Sequence, residues 1–177
     1  MKAKKKIDFT KIEWDSIDQE KLQFFFKEAV DCNDTLLNDI NNLNSKAFQL
    51  LAILFPVLSA AIGFLLATWG KEGKESVAIA LIVASVGMIL IIASLLLAVF
   101  PRQVYPGRLA PHMVFAGNLY KAPITKLLAD GIASYNTYLA SNDKVMKYRG
   151  LFLTIGTSGI FLVPLITVAV FLICLQN

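Results

Sequence analysis

The stretch LQFFFKEAVDCNDTLLNDINNLNSKAFQLLAIL, residues 22–54, decides how this chain folds. Its apolar positions recur at alternating steps of four and three: Leu22, Phe26, Ala29, then Leu36, Ile40, Leu43, Ala47, Leu50 and Leu54. Asn33 fills the polar slot in that series. Such spacing keeps side chains on one stripe of a helix, and over several heptads it describes a coiled-coil seam. The series starts in polar sequence and ends inside a run that only a membrane accepts. The expected element is a stalk helix that continues from water into lipid.

Outward from that stretch, Ala47 to Trp69 is 23 residues without a charge, and Ser76 to Phe100 and Leu151 to Leu175 are 25 each. About 20 apolar residues at 1.5 Å rise cross the hydrocarbon core. The expectation is an all-α membrane protein with three transmembrane helices. Residues 1–46 form an amino-terminal arm and stalk, 47–69 the first span, 70–75 an external turn, 76–100 the second span, 101–150 a basic loop with amphipathic helices, and 151–175 the third span. Pro56 and Pro164 each remove a backbone donor inside a span, which marks them as kinks or gate points.

Charge is unevenly spread. Residues 1–46 hold eight Lys and nine Asp or Glu, for −1, and residues 101–150 hold seven Lys or Arg and two Asp, for +5. Between Lys121 and Lys147, apolar Ile124, Leu127, Leu128, Ile132, Tyr135 and Leu139 recur at mixed three- and four-residue steps. That reads as an amphipathic helix or helix pair, broken near Gly131 or Asn142, with the oppositely charged stalk as its packing partner. Lys46, Arg102, Arg108, Lys144, Lys147 and Arg149 flank the span ends on one side, against Lys71 and Lys74 on the other. The positive-inside rule then puts the amino terminus and residues 101–150 in the cytoplasm and the carboxyl terminus outside.

Several function classes lack a signature. Nucleophile elbows, Walker loops and paired metal-ligand runs are missing, so no enzyme, metal or cofactor is expected. Cys32 and Cys174 are far apart and show no disulfide spacing. The spans contain no Asp, Glu, Lys or Arg, which disfavours ion- or proton-coupled transport but permits a passive pore gated by apolar rings. Small polar residues such as Ser59 and Ser85 could line such a pore. They serve equally as close-approach points between helices, as Ser59–Gly63 and Ala80–Ala84 would at four-residue spacing.

Two groups of candidate site residues remain. Leu22, Phe26, Asn33, Leu36, Ile40 and Leu43 would bundle stalks from several copies into a homo-oligomer. Asn33 would either fix the register or, with its neighbouring asparagines, meet a polar ligand. Lys21, Phe24, Phe25 and Lys27 on the stalk, with Arg102, Arg108, His112 and Lys121 after the second span, place cations beside aromatic rings. That combination suits phosphates and stacked bases, although anchoring at the membrane explains Arg102 and Arg108 as well.

The order of parts resembles a known group. A helix ending Asn44-Ser45-Lys46-Ala47 runs into a first span, a short turn leads to a second span closing Phe100-Pro101-Arg102, and a cytoplasmic excursion precedes a last span. This is similar to the small transmembrane effectors of bacterial anti-phage nucleotide-signalling systems, the Pycsar-type and SLATT-type effectors, and in layout above all to the Hailong-type membrane effector. The likeness covers most of residues 30–175. It implies a homo-oligomer, with a tetramer favoured, in the bacterial inner membrane. A nucleotide or single-stranded DNA oligomer made by a partner nucleotidyltransferase would control it, and activation would permeabilise the membrane. The rival expectation is a non-conducting coiled-coil scaffold that anchors a cytoplasmic partner.

Overall fold

The structure, a computed structural model, describes residues 12–107 and 121–176. Among them the chain forms three α-helices and no strand: α1 (Gln19–Thr68), α2 (Glu75–Val99) and α3 (Ile124–Gln176), preceded by a single 3₁₀ turn at Trp14–Ser16. Each of the three contains a stretch long and apolar enough to cross a membrane. The expected breaks at Gly131 and Asn142 do not occur. The amphipathic segment and the third span are one 53-residue helix. Nothing in the sequence from Thr125 to Val163 removes a backbone donor, and a lone Gly costs a helix only about 1 kcal/mol.

Two compact units divide the chain. The first comprises the described residues up to Asn38 together with those in 103–144, and the second comprises Asp39–Arg102 and Val145–Asn177. In the first unit the early turns of α1 and α3 pack side by side and run the same way. Phe26 sits against Gly131 and edge-on to Tyr135, with ring centroids 5.7 Å apart, and two turns further on Asn33 meets Asn142. A Cβ on Gly131 would lie 2.6 Å from Phe26 Cε2, so the absence of a side chain there lets the phenyl ring close onto α3. Burying a Leu or Phe side chain here contributes about 1.5–3 kcal/mol, and Leu22 and Leu128 join that core.

In the second unit α2 runs antiparallel to α3. Going down α2, Leu95 opposes Gly156, Ile91 opposes Gly159 and Gly87 opposes Val163. Ser94 Oγ donates to the Phe152 carbonyl and Ser76 Oγ to the Cys174 carbonyl, both at 2.9 Å, which ties the two ends of the pair. Lipid tails are as apolar as Leu, so this contact depends on close packing and hydrogen bonds rather than on a hydrophobic driving force. Ala47, Leu51 and Leu54 of α1 complete the core around Ile91, Ile92, Leu95 and Ala98. Among the described residues nothing makes the expected close approach at Ser59–Gly63. A Cβ on Gly63 would meet nothing within 4 Å, and the Ser59 hydroxyl donates to its own helix at the Phe55 carbonyl.

Neither proline ends its helix, and both lie on exposed faces. Each is followed three residues later by a hydroxyl that donates to the carbonyl just before the proline. Ser59 bonds Phe55 at 2.9 Å and Thr167 bonds Val163 at 2.8 Å. The carbonyls that lose a donor to proline are those of Ala52 and Ile160, four residues earlier, so these hydroxyls do not replace it; back-bonding of this kind favours a slight bend.

Candidate functional site

The seam read from the sequence is occupied within the chain itself. On α1, Asn33, Ile40, Ala47 and Leu54 recur every seven residues, and all are buried. On α3 the matching series is Leu128, Tyr135, Asn142 and Arg149, also buried. Within the first unit the two stripes meet in parallel where Phe26 faces Gly131 and Tyr135 and Asn33 faces Asn142. Leu22, Asn33 and Ile40, expected as subunit contacts, are 0, 0 and 2 % exposed within the single chain. Phe26, Leu36 and Leu43 are half-buried.

Asn33 is hydrogen-bonded within the chain. Asn142 Nδ2 donates to Asn33 Oδ1 and to the Tyr105 carbonyl, each at 2.9 Å, and Asn142 Oδ1 accepts from the Tyr105 N–H at 3.0 Å. Asn33 Nδ2 adds a 3.2 Å bond to the same carbonyl. The Asn142 amide therefore grips both polar groups of one peptide residue, as a strand neighbour would. The Tyr105 ring stacks on Tyr138, nearly parallel, with centroids 5.5 Å apart, and Tyr138 meets Tyr135 edge-on. Gly107, at φ +74°, turns the backbone away in a conformation that other residues rarely adopt. The result is a satisfied polar cluster that pins the segment after α2 to α1 and α3.

The residues expected to bind nucleotide fall into separate groups. Lys21, Phe24, Phe25 and Lys27 are all exposed on α1, and the two rings meet edge-on at 5.9 Å. Phe24 lies roughly 200° around the helix from Leu22, outside the packed face. The surrounding turns, residues 19–34, carry two Lys against Glu20, Glu28, Asp31 and Asp34. This excess of carboxylates opposes a polyanion. Lys121 is exposed in the same unit. Arg108 and His112 lie outside the described residues.

Arg102 belongs to the second unit, where its guanidinium carbon sits 3.4 Å from the centroid of the Tyr148 ring. Tyr148 in turn packs on Phe152, 4.6 Å away. The next residue, Arg149, is 5 % exposed, and its Nε has no hydrogen-bond partner among the described residues. Burial, and after it the like charge of Arg102, hold the Arg149 pKa below its ordinary value. Sequence reasoning saw Arg149 only as a span flank and Asn142 only as a helix break. The signal that could have found both is the seven-residue step from Leu128 and Tyr135.

An open cleft of about 350 Å³ lies at the turn between α1 and α2, lined by Trp69, Lys71, Glu75, Ile79 and Ile82 among others. Gly70 and Gly73, both at φ +74°, shape that turn. Its two Lys and two Glu cancel, so the cleft selects no charged ligand. No protein-family model, curated protein or solved structure matches the chain.

Proposed function

We propose that this chain is an oligomeric membrane effector of bacterial anti-phage defence. It forms a toxic pore in the inner membrane whose opening is controlled by a nucleotide or short single-stranded DNA oligomer from a partner nucleotidyltransferase. The observation that carries this reading is helix continuity. Both α1 and α3 run unbroken from residues of the first unit into their apolar stretches, which gives a binding event a direct path to the spans. A ligand would shift open and closed populations only through different affinities for the two states. The uncharged spans suit passive conduction, and the buried Ser85 hydroxyl on α2, without a hydrogen-bond partner among the described residues, is a polar group that could serve it.

A non-conducting scaffold is the second reading, favoured by one feature. Phe24 and Phe25, 60 and 48 % exposed on an acidic helix face, suit the apolar, basic surface of a partner protein. Planar-bilayer recording separates the two. Stepwise currents that change when mono- or oligonucleotides are added support the pore, and a silent bilayer with every nucleotide tried refutes it.

A further inference from the structure

The second unit holds a cationic pair without a counter-charge of its own. Its carboxylates are Asp39, Glu72 and Glu75. Glu72 and Glu75 precede α2 or begin it, while Arg102 follows the far end of that 25-residue helix, roughly 37 Å away at 1.5 Å per residue. Asp39 is exposed. No acidic residue occurs from Ser76 to Ala129 or after Asp143.

Arg149 is placed where an arginine is costly. It fills the slot of the heptad stripe that follows Asn142, and 95 % of its surface is withdrawn from solvent. An arginine that merely anchors a span end extends its head group to water. Arg149 does not, and its Nε has no hydrogen-bond partner among the described residues. Arg102, held against the ring of the neighbouring Tyr148, adds a second guanidinium whose charge reaches Arg149. A buried guanidinium with an unsatisfied Nε, next to a residue that carries a second guanidinium on its ring, calls for an anion, because a buried charge is tolerated when it is paired and hydrogen-bonded.

Guanidinium forks match phosphate oxygens bidentately. Arg102 lies three residues past α2 and Arg149 two residues before the third apolar run. We propose that Arg102 and Arg149 together bind a phosphate group, with Tyr148 as the platform that orients Arg102. The phosphate could belong to an anionic lipid headgroup or to a soluble phosphate compound. This site stands apart from the pore reading, because a scaffold could carry it equally well.

The test uses the full chain in micelles of dodecyl maltoside, a detergent without phosphate, with thermal unfolding as the readout. One arm adds inorganic phosphate, with chloride at matched ionic strength as the control. The other adds phosphatidylglycerol to the same micelles. The wild type is expected to unfold several degrees higher in at least one arm, and the responding arm identifies the source. Arg149→Met should abolish that shift, and Arg102→Gln should raise the half-saturating phosphate or lipid content at least ten-fold. A wild type that responds in neither arm overturns the proposal, as does an Arg149→Met variant that responds like the wild type. If Arg149→Met does not fold, Arg102→Gln decides alone, and an unchanged response from it overturns the proposal too.

Discussion

Asn142 shows how much one side chain can fix. Its amide satisfies the N–H and the carbonyl of Tyr105 and the Oδ1 of Asn33. Replacing it with Leu would keep the branching and the heavy-atom count but leave a backbone donor and an amide oxygen unpaired. At about 1–3 kcal/mol per orphaned buried group, Asn142→Leu should destabilise the first unit by about 3 kcal/mol. Asn33→Leu should cost less, because Asn142 still serves the Tyr105 carbonyl. The two changes should be non-additive by about 1 kcal/mol in a double-mutant cycle. Hydrogen exchange at the Tyr105 amide is the local measurement, and undiminished protection in Asn142→Leu would refute the role given to it. The sequence marked Asn33 as a polar residue in an apolar stripe, which is why its burial was legible. Its pairing with Asn142 was not legible, because Asn142 lies 109 residues away and a seven-residue step on each helix does not say which stripe meets which.

At the scale of elements, glycines decide how α2 and α3 meet. A Cβ on Gly156 would lie 2.7 Å from Leu95 Cδ2 and 2.9 Å from Cγ, so Gly156→Val must push the helices apart. Overpacking of this kind costs about 1–3 kcal/mol. Gly63 has open space, and Gly63→Ala should be neutral or stabilise the chain by up to about 1 kcal/mol through helix propensity. Unfolding midpoints in a dodecyl-sulfate titration check the pair, and equal midpoints for both variants would deny the close contact. The three apolar runs were readable because uncharged stretches of this length have few alternatives to a membrane. The contacts between them were not, since small residues recur in every span. Four-residue spacing suggested Ser59–Gly63, whereas the close contacts fall at Gly87, Gly156 and Gly159.

For the whole molecule, periodicity reveals which face of a helix is covered but not what covers it. The Leu22–Leu54 stripe predicted burial correctly, yet α3 of the same chain supplies the cover in the first unit, where a second copy was expected. Assembly of several copies therefore needs another surface. Phe48, Leu66 and Phe161 are exposed, but lipid accounts for apolar residues in the spans. Phe24 and Phe25 lie outside the apolar runs, and burying each would contribute about 1.5–3 kcal/mol. If stalk faces join the proposed oligomer, the double variant Phe24→Ser/Phe25→Ser should lose its cross-linked species in membranes while Tyr105 keeps its amide protection. Ile40→Asp should behave differently: a carboxylate in a site 2 % exposed destabilises the chain itself, so folded protein and cross-links fall together. An unchanged cross-linking pattern in the Phe24/Phe25 variant would exclude that stalk face as the surface through which copies assemble.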